Sequence, residues 1–226
     1  MIKKLNIYLI TSLAYFISFF IYAENKLSVS YVEHPAVRNI YLPIVEAMYK
    51  EAKLPIRLFK VSNSPRSVEA LNDGLFDADT GKILSSIKHH ENIVYVPTPI
   101  STVGLYLICL KSVMCDETVL NNESNMIISR FSKKMLTNIL PIKAGMAQIL
   151  SQKKINKMLN IRRVNYSLIA DDISSGARHF QDKYSVVLVS KESYFHILHK
   201  KNQGIIPQLD LALKVVLKNN LIKKKS

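Results

Sequence analysis

Hydrophobic and polar positions follow two periods along the chain, one typical of strands and one typical of helices. LSVSYV from Leu27 alternates as a short strand does, and IRLFKV and FDADTGKI are two further predicted strands. NIYLPIVEAMYKEAKL and SNSPRSVEALNDG lie between them and place apolar residues at helical spacing. The second helix has Ser64 as its predicted N-cap and Gly74 at its end. This β-α-β-α-β order predicts a parallel sheet with right-handed crossovers.

A second alternation of elements occupies the later part of the chain. The predicted strands there are NMIISR, IRRVNYSLI and KYSVVLVS. SKKMLTNILPIKAGMAQILSQKKINKML is predicted to be mostly helix with a break near Pro141, and ADDISSGARHFQD, KESYFHILHKKN and IIPQLDLALKVVLKNN are predicted helices. Two α/β units joined near LYLICLKS predict two lobes with a cleft between them, where ligands bind at the carboxyl ends of strands.

The first 23 residues have the pattern of an export signal. MIKK precedes an uncharged apolar run at residues 5–23, and the polar segment ENK follows it. Ala23 has the small side chain that cleavage requires, so we expect cleavage after it. A retained membrane anchor is the alternative, because the run is just long enough to span hydrocarbon.

The chain is basic, with 31 Lys and Arg residues against 17 Asp and Glu residues and a formal net charge of +14. Such a charge can favour anionic partners or surfaces. The lysines are scattered along the sequence apart from residues 223–225, which favours a dispersed, solvated surface. Nucleic-acid binding is not expected, because aromatic residues do not interleave with the basic ones.

Cys109 and Cys115 are the two cysteines of the sequence. In an oxidising compartment they can pair, but Cys109 lies in the apolar run LYLICL and can simply be buried. Burial without pairing is the favoured alternative. Redox catalysis and zinc binding lack support, because neither cysteine has a Cys-x-x-Cys partner.

Three aspartates surround one turn, which is unusual in so basic a chain. Asp73 ends a helix and is expected to be solvated, whereas Asp77 and Asp79 alternate along the next strand and point to the same face. One hypothesis is a carboxylate pair in the cleft for acid–base chemistry or a cation. Pairing of these carboxylates with Arg66, Lys82 or backbone donors is favoured.

Motifs for catalysis and metal binding are missing. The sequence has no serine hydrolase motif, phosphate-binding glycine loop or zinc-binding histidine spacing. His196 and His199 are three apart on a predicted helix, but no third ligand is identifiable, so packing or exposure is favoured. His89 and His90 are adjacent in a loop and are interpreted as surface residues. We expect no enzyme activity, no cofactor and no metal.

Three segments together resemble the bacterial extracellular solute-binding proteins of family 3, which have the type 2 periplasmic binding fold. They are RSVEALNDGLFDADTGKI, NIVYVPTPISTVGLYLICLK and YFHILHKKNQGIIPQLDLALKVVLKNN. The resemblance implies an α/β fold of two lobes, each a mostly parallel sheet flanked by helices, joined by two hinge strands near 104–110 and 186–190. It implies lobe 1 at residues 24–110 and 190–226 and lobe 2 at residues 111–189.

The resemblance also implies a ligand site between the lobes. The positions carried over by motif are Glu33, His34, Ser62, Gly81, Lys82, Ser101, Thr102, Ser129 and Arg130. Amino-acid-binding members carry an arginine in the segment matching SSIKHHEN, where this chain has His90, and an acid in the final hinge strand, where it reads YSVVLVS. These departures argue against an amino-acid ligand, whereas Lys82 and Arg130 are expected to receive an anionic group.

The function implied is capture of a small polar solute in the periplasm, after export through a cleaved signal peptide. The solute would pass to an inner-membrane ABC-type permease, and the protein would be a monomer without nucleic-acid partners. The alternative is a sensing module whose closure signals to a membrane partner. A catalytically active relative of the fold is a third option.

Overall fold

The computed structural model describes residues 26–223, with side chains described as far as residue 220. The predicted signal segment at residues 1–23 lies outside the described residues. Strands are β1 (Leu27–Val32), β2 (Ile56–Val61), β3 (Ala78–Ile83), β4 (Ile93–Tyr95), β5 (Ser101–Leu110), β6 (Met126–Ser129), β7 (Gly145–Gln148), β8 (Tyr166–Asp172) and β9 (Tyr184–His199). Helices are α1 (Leu42–Glu51), α2 (Ser64–Asn72), α3 (Thr118–Asn121), α4 (Lys133–Leu136), α5 (Gln152–Asn160), α6 (Arg178–Gln181) and α7 (Ile206–Lys223).

Lobe 1 is built on the parallel strands β2, β1 and β3. Its main core joins β1 to α1 and α7, with Val29, Met48 and Leu213 fully buried. Helix α2 packs through Leu71 on a separate cluster that includes Ile197. Both faces of the sheet are therefore covered by helices, as a parallel sheet requires.

Lobe 2 repeats this plan with the parallel strands β8, β6 and β7. One face packs against α3 and α4, where Leu136 is buried. The other face packs against α5 and α6, where Ile155 and Phe180 are buried. The apolar spacing of Ile155 and Leu159 thus fixes which side of α5 meets the sheet.

Strands β5 and β9 run through both lobes. Residues 194–199 of β9 pair antiparallel with β3 and β4, and residues 184–194 pair antiparallel with β5, which in turn pairs with β8. The sheet order is therefore β2-β1-β3-β9-β5-β8-β6-β7, with β4 on β9. Pairing between β5 and β9 shifts register at Leu105 and Tyr106, within the predicted hinge. The residue boundaries of the lobes stay a prediction.

Three predicted helices are wrong. Residues 132–160 form two short helices around strand β7, because Pro141 and Gly145 interrupt the helical pattern and β7 completes the sheet beside β6. Residues 191–199 continue β9 in place of a helix, since pairing with β3 and β5 overrides the local helical spacing. Residues 170–172 end β8, so only Arg178–Gln181 is helical in that region.

Two local predictions need smaller corrections. The N-cap of α2 is Asn63, one residue before the predicted Ser64, and its side chain accepts a hydrogen bond from the Arg66 amide at 3.0 Å. Cys109 and Cys115 form a disulfide across a separation of 6 residues, so the favoured expectation of an unpaired Cys109 is wrong. Cys109 is nevertheless fully buried, as expected.

No helix within residues 26–223 has the length and apolar character needed to cross a membrane.

Candidate ligand-binding cleft

A cavity of about 300 Å³ lies between the two lobes. Lobe 1 lines it with the loop after β1, the start of α2 and strand β3, and lobe 2 lines it with the loop after β6 and the ends of β7 and β8. These are mostly carboxyl ends of parallel strands, which is where open α/β sheets bind ligands. The volume is at the lower end of the range for small-molecule sites.

Among the described residues that line the cavity, Arg130 is the cation contributed by lobe 2. It follows β6 directly, lines the cavity and is partly buried. Its guanidinium forms no ion pair with any described residue. Burial lowers the pKa of Arg130 from its usual value, yet an arginine keeps its charge at physiological pH. A desolvated, unpaired guanidinium is a receptor for a carboxylate or phosphate.

Lys82, the other predicted cation, is already neutralised inside the protein. Its buried Nζ lies 2.5 Å from Oδ1 of Asp79. The hydroxyls of Ser30 and Ser67 donate to the other oxygen of Asp79, and the Gly81 amide donates to Oδ1 at 3.0 Å. The favoured pairing of Asp79 with Lys82 is therefore confirmed, and the expectation that Lys82 receives an anionic group loses its support.

Asp77 is held in the same way outside the cavity. Its carboxylate accepts hydrogen bonds from the amide and hydroxyl of Ser28, both at 2.8 Å, and lies 3.1 Å from Nζ of Lys201. Burial raises the pKa of Asp77, but the hydrogen bonds from Ser28, Asn202 and Lys201 outweigh it and bring the pKa to about 2. Asp77 and Asp79 do share one face, as the alternation predicts, but neither carboxylate is free for catalysis.

His34, Glu33 and Ser62 lie where the cavity opens. His34 lines the cavity, and burial together with the charge of Arg130 lowers its pKa, which favours the neutral imidazole. Glu33 and Ser62 line the adjoining rim together with Arg130. Glu33 is paired with Lys60 at 2.7 Å.

Ser101, Thr102 and Ser129 do not line the cavity. The Ser129 hydroxyl donates to the carbonyl of Leu168 at 2.8 Å and accepts from the amide of Phe131 at 3.2 Å, which shapes the loop that carries Arg130. Ser101 donates to Asp172 at 2.5 Å. Thr102 offers its backbone carbonyl to the amide of Ile173. Of the nine predicted positions, the structure brings His34, Gly81, Lys82 and Arg130 together on the cavity wall.

Sequence reasoning missed Tyr41, Tyr194 and Asp171. The two tyrosine rings stack on the cavity wall with centroids 4.3 Å apart, and the Tyr41 hydroxyl is buried without a hydrogen-bond partner among the described residues. Asp171 lines the cavity, and its carboxylate accepts from the Ser175 hydroxyl at 2.6 Å. Asp171 and Tyr194 fall in segments predicted as helices, so the strand that places each side chain could not be recognised.

Among the described residues, the cavity lining thus combines the unpaired Arg130, the carboxylates of Glu69, Asp79 and Asp171, and an apolar wall that includes Tyr41 and Tyr194. His90, which the family resemblance places near an arginine of amino-acid-binding members, lines the cavity and contacts Glu69 with Nε2 3.3 Å from Oε1. Strand β9, which replaces the predicted helix, also separates His196 from His199, because residues three apart on a strand face opposite sides. No group of three or more metal-ligating side chains occurs among residues 26–223.

Several solved structures resemble the described fold. The GluR0 ligand-binding core in complex with L-glutamate has a TM-score of 0.71 and 15% identity, with 89% of this chain and 96% of that chain covered. ArtJ, the arginine-, lysine-, histidine-binding protein from Geobacillus stearothermophilus, has a TM-score of 0.66 and 12% identity, with 86% and 90% covered. A putative L-cystine ABC transporter from Listeria monocytogenes has a TM-score of 0.66 and 14% identity, with 88% and 93% covered.

No protein-family model and no curated protein sequence matches the chain. The similarity therefore lies in the fold, which extends over nearly the whole length of the solved structures. The predicted α/β class of two lobes is confirmed, as is the fold implied by the family resemblance. This chain has the type 2 periplasmic binding fold shared by these ligand-binding proteins.

Proposed function

We propose that the protein captures a small solute with an anionic group between its two lobes, and that Arg130 binds that group. The observation that carries the proposal is the unpaired, partly buried guanidinium on the cavity wall. Removal of a cation from water without a partner is costly, so a bound anion would relieve that cost. The apolar wall formed by Tyr41 and Tyr194 would cover the remainder of the solute.

The proposal includes no chemistry on the solute. Asp79 and Lys82 neutralise each other, and Nδ1 of His34 accepts a hydrogen bond from the Ala36 amide at 3.2 Å. Closure of the lobes about β5 and β9 would enclose the solute. Delivery to an ABC-type permease is the role that the cystine-transport neighbour supports.

Export from the cytoplasm belongs to the same proposal. The disulfide between Cys109 and Cys115 supports it, because such bonds persist in oxidising compartments. The predicted signal at residues 1–23 supports it independently.

Thermal unfolding with a panel of solutes tests the role of Arg130. The panel contains carboxylates, phosphorylated compounds, amino acids and neutral sugars. At ~100-fold excess over Kd, the cognate anion should raise Tm by about 5 °C or more. Arg130→Ala should abolish the rise, because the guanidinium is the receptor for the anion, whereas Arg163→Ala, at an exposed arginine of the same lobe, should keep it. An equal rise in wild type and Arg130→Ala would reject the assignment.

A further inference from the structure

Lobe 2 contains a long stretch of sequence without acidic residues. Residues 124–170 include nine Lys and Arg residues and no Asp or Glu. None of these nine forms an ion pair with a described residue. Charge is therefore distributed unevenly along residues 124–170.

Five of these cations lie within eleven residues on α5 and the turn that follows it. They form a surface, here called the cationic face, made of Lys153, Lys154, Lys157, Arg162 and Arg163. All five side chains are exposed. The three lysines lie on the side of α5 opposite the buried Ile155 and Leu159, because residues 153, 154 and 157 project within one sector of the helix.

An apolar side chain adjoins the cationic face. Ile161, between α5 and the two arginines, is 59% exposed. Basic residues beside an exposed aliphatic side chain are the combination that binds the headgroup region of an anionic bilayer, since the cations meet phosphates and the apolar group enters the boundary with the acyl chains.

We propose that the cationic face docks lobe 2 onto an anionic phospholipid surface. Four to eight clustered Lys and Arg residues suffice for binding to anionic lipids, and this face has five. A lipid surface is favoured over an acidic protein partner. Specific pairing with a protein needs charged side chains that are held in fixed positions. None of the five cations is held in place by an ion pair with a described acidic residue. The proposal goes beyond solute capture and does not depend on Arg130.

Vesicle co-sedimentation tests the proposal with the chain from residue 24 onward, which includes the described residues of both lobe cores. Wild type should bind vesicles of phosphatidylcholine mixed with phosphatidylglycerol but not pure phosphatidylcholine. The binding should be lost when NaCl is raised from about 0.1 M to about 1 M, because the Debye length falls from ~10 Å to ~3 Å. Lys153→Glu/Lys154→Glu/Lys157→Glu should weaken binding at least about tenfold.

The matched control variant makes the same change in net charge at positions outside the cationic face. Lys50→Glu/Lys88→Glu/Lys218→Glu replaces three exposed lysines outside the cationic face and should retain most of the binding. Equal Tm values for the two variants would show that both fold. Equal loss of vesicle binding in both variants would show that binding depends only on the net charge of the protein, which would overturn the proposal. Absence of binding by wild type, or capture by an acidic protein in place of lipid, would overturn it as well.

Discussion

Two cations line the same cleft but differ in what surrounds them. Lys82 is three residues from Asp79 on a buried strand, and its charge is compensated before any ligand arrives. Arg130 is presented by a loop that Ser129 shapes, and its guanidinium has no acidic partner among the described residues. The neighbours of each side chain, and not its type, therefore decide whether its charge is already compensated inside the protein.

His196 is a buried side chain whose ionisation links stability to pH. The ring is fully buried, with Nε2 2.9 Å from the Tyr49 hydroxyl. Burial is the largest influence and lowers its pKa from 6.5 to about 4. The unfolded chain therefore binds a proton at a higher pH than the folded chain does, so the folded state loses stability as the pH falls from 6.5 toward 4.

Urea unfolding across this pH range measures the effect. The lowered pKa of His196 should decrease the free energy of unfolding by about 3 kcal/mol at pH 4 relative to pH 7. His196→Gln should lower stability at pH 7 and make the pH dependence shallower, because the variant has no imidazole to protonate. His89→Gln, at an exposed position, should retain the wild-type dependence. The same slope in wild type and His196→Gln would contradict this account.

The role of a residue can be predicted from the sequence when its contacts are with residues nearby in the chain. The prediction fails when the contacts come from strands that are distant in the sequence. The pairing of Asp79 with Lys82 could be predicted, since they lie three residues apart. Arg130 was expected at the site only through the family resemblance, and the structure places it on the cavity wall. Tyr41, Tyr194 and Asp171 were missed, since the cavity brings them together from different lobes.

Strand β9 shows the same limit at the level of elements. Its segment 191–199 contains the spacing of an amphipathic helix, yet it pairs with β3, β4 and β5 along its length. Backbone pairing across three neighbours outweighs a weak local preference. The strands of the parallel sheets were predicted more successfully, because their apolar runs are short and bounded by turns.

The disulfide fixes the end of β5 to the turn that follows it. Closure of a loop across a separation of 6 residues should stabilise the folded state by about 2 kcal/mol through the entropy of the unfolded chain. Urea unfolding with and without dithiothreitol should show a difference of this size for wild type. Cys109→Ala/Cys115→Ala should be insensitive to the reductant. Identical unfolding of wild type under both conditions would mean that the bond is absent or contributes nothing.

The whole molecule joins two α/β lobes by two long strands and places the cavity between them. The sequence predicted this plan from the order of elements and from the family resemblance. The solute could not be predicted, because its identity depends on side chains that converge only in the folded state. The proposed function assigns a small anion to Arg130 and the apolar wall, and the cationic face is a second, separate surface on lobe 2.

Native mass spectrometry of the protein purified from the periplasm of its own cells tests solute capture most directly. Wild type should carry a small anionic solute, which leaves on denaturation and is absent from Arg130→Ala purified in the same way. The same adduct on wild type and Arg130→Ala would contradict the role of Arg130. Wild type that carries no solute and takes up none from a periplasmic extract would contradict capture itself.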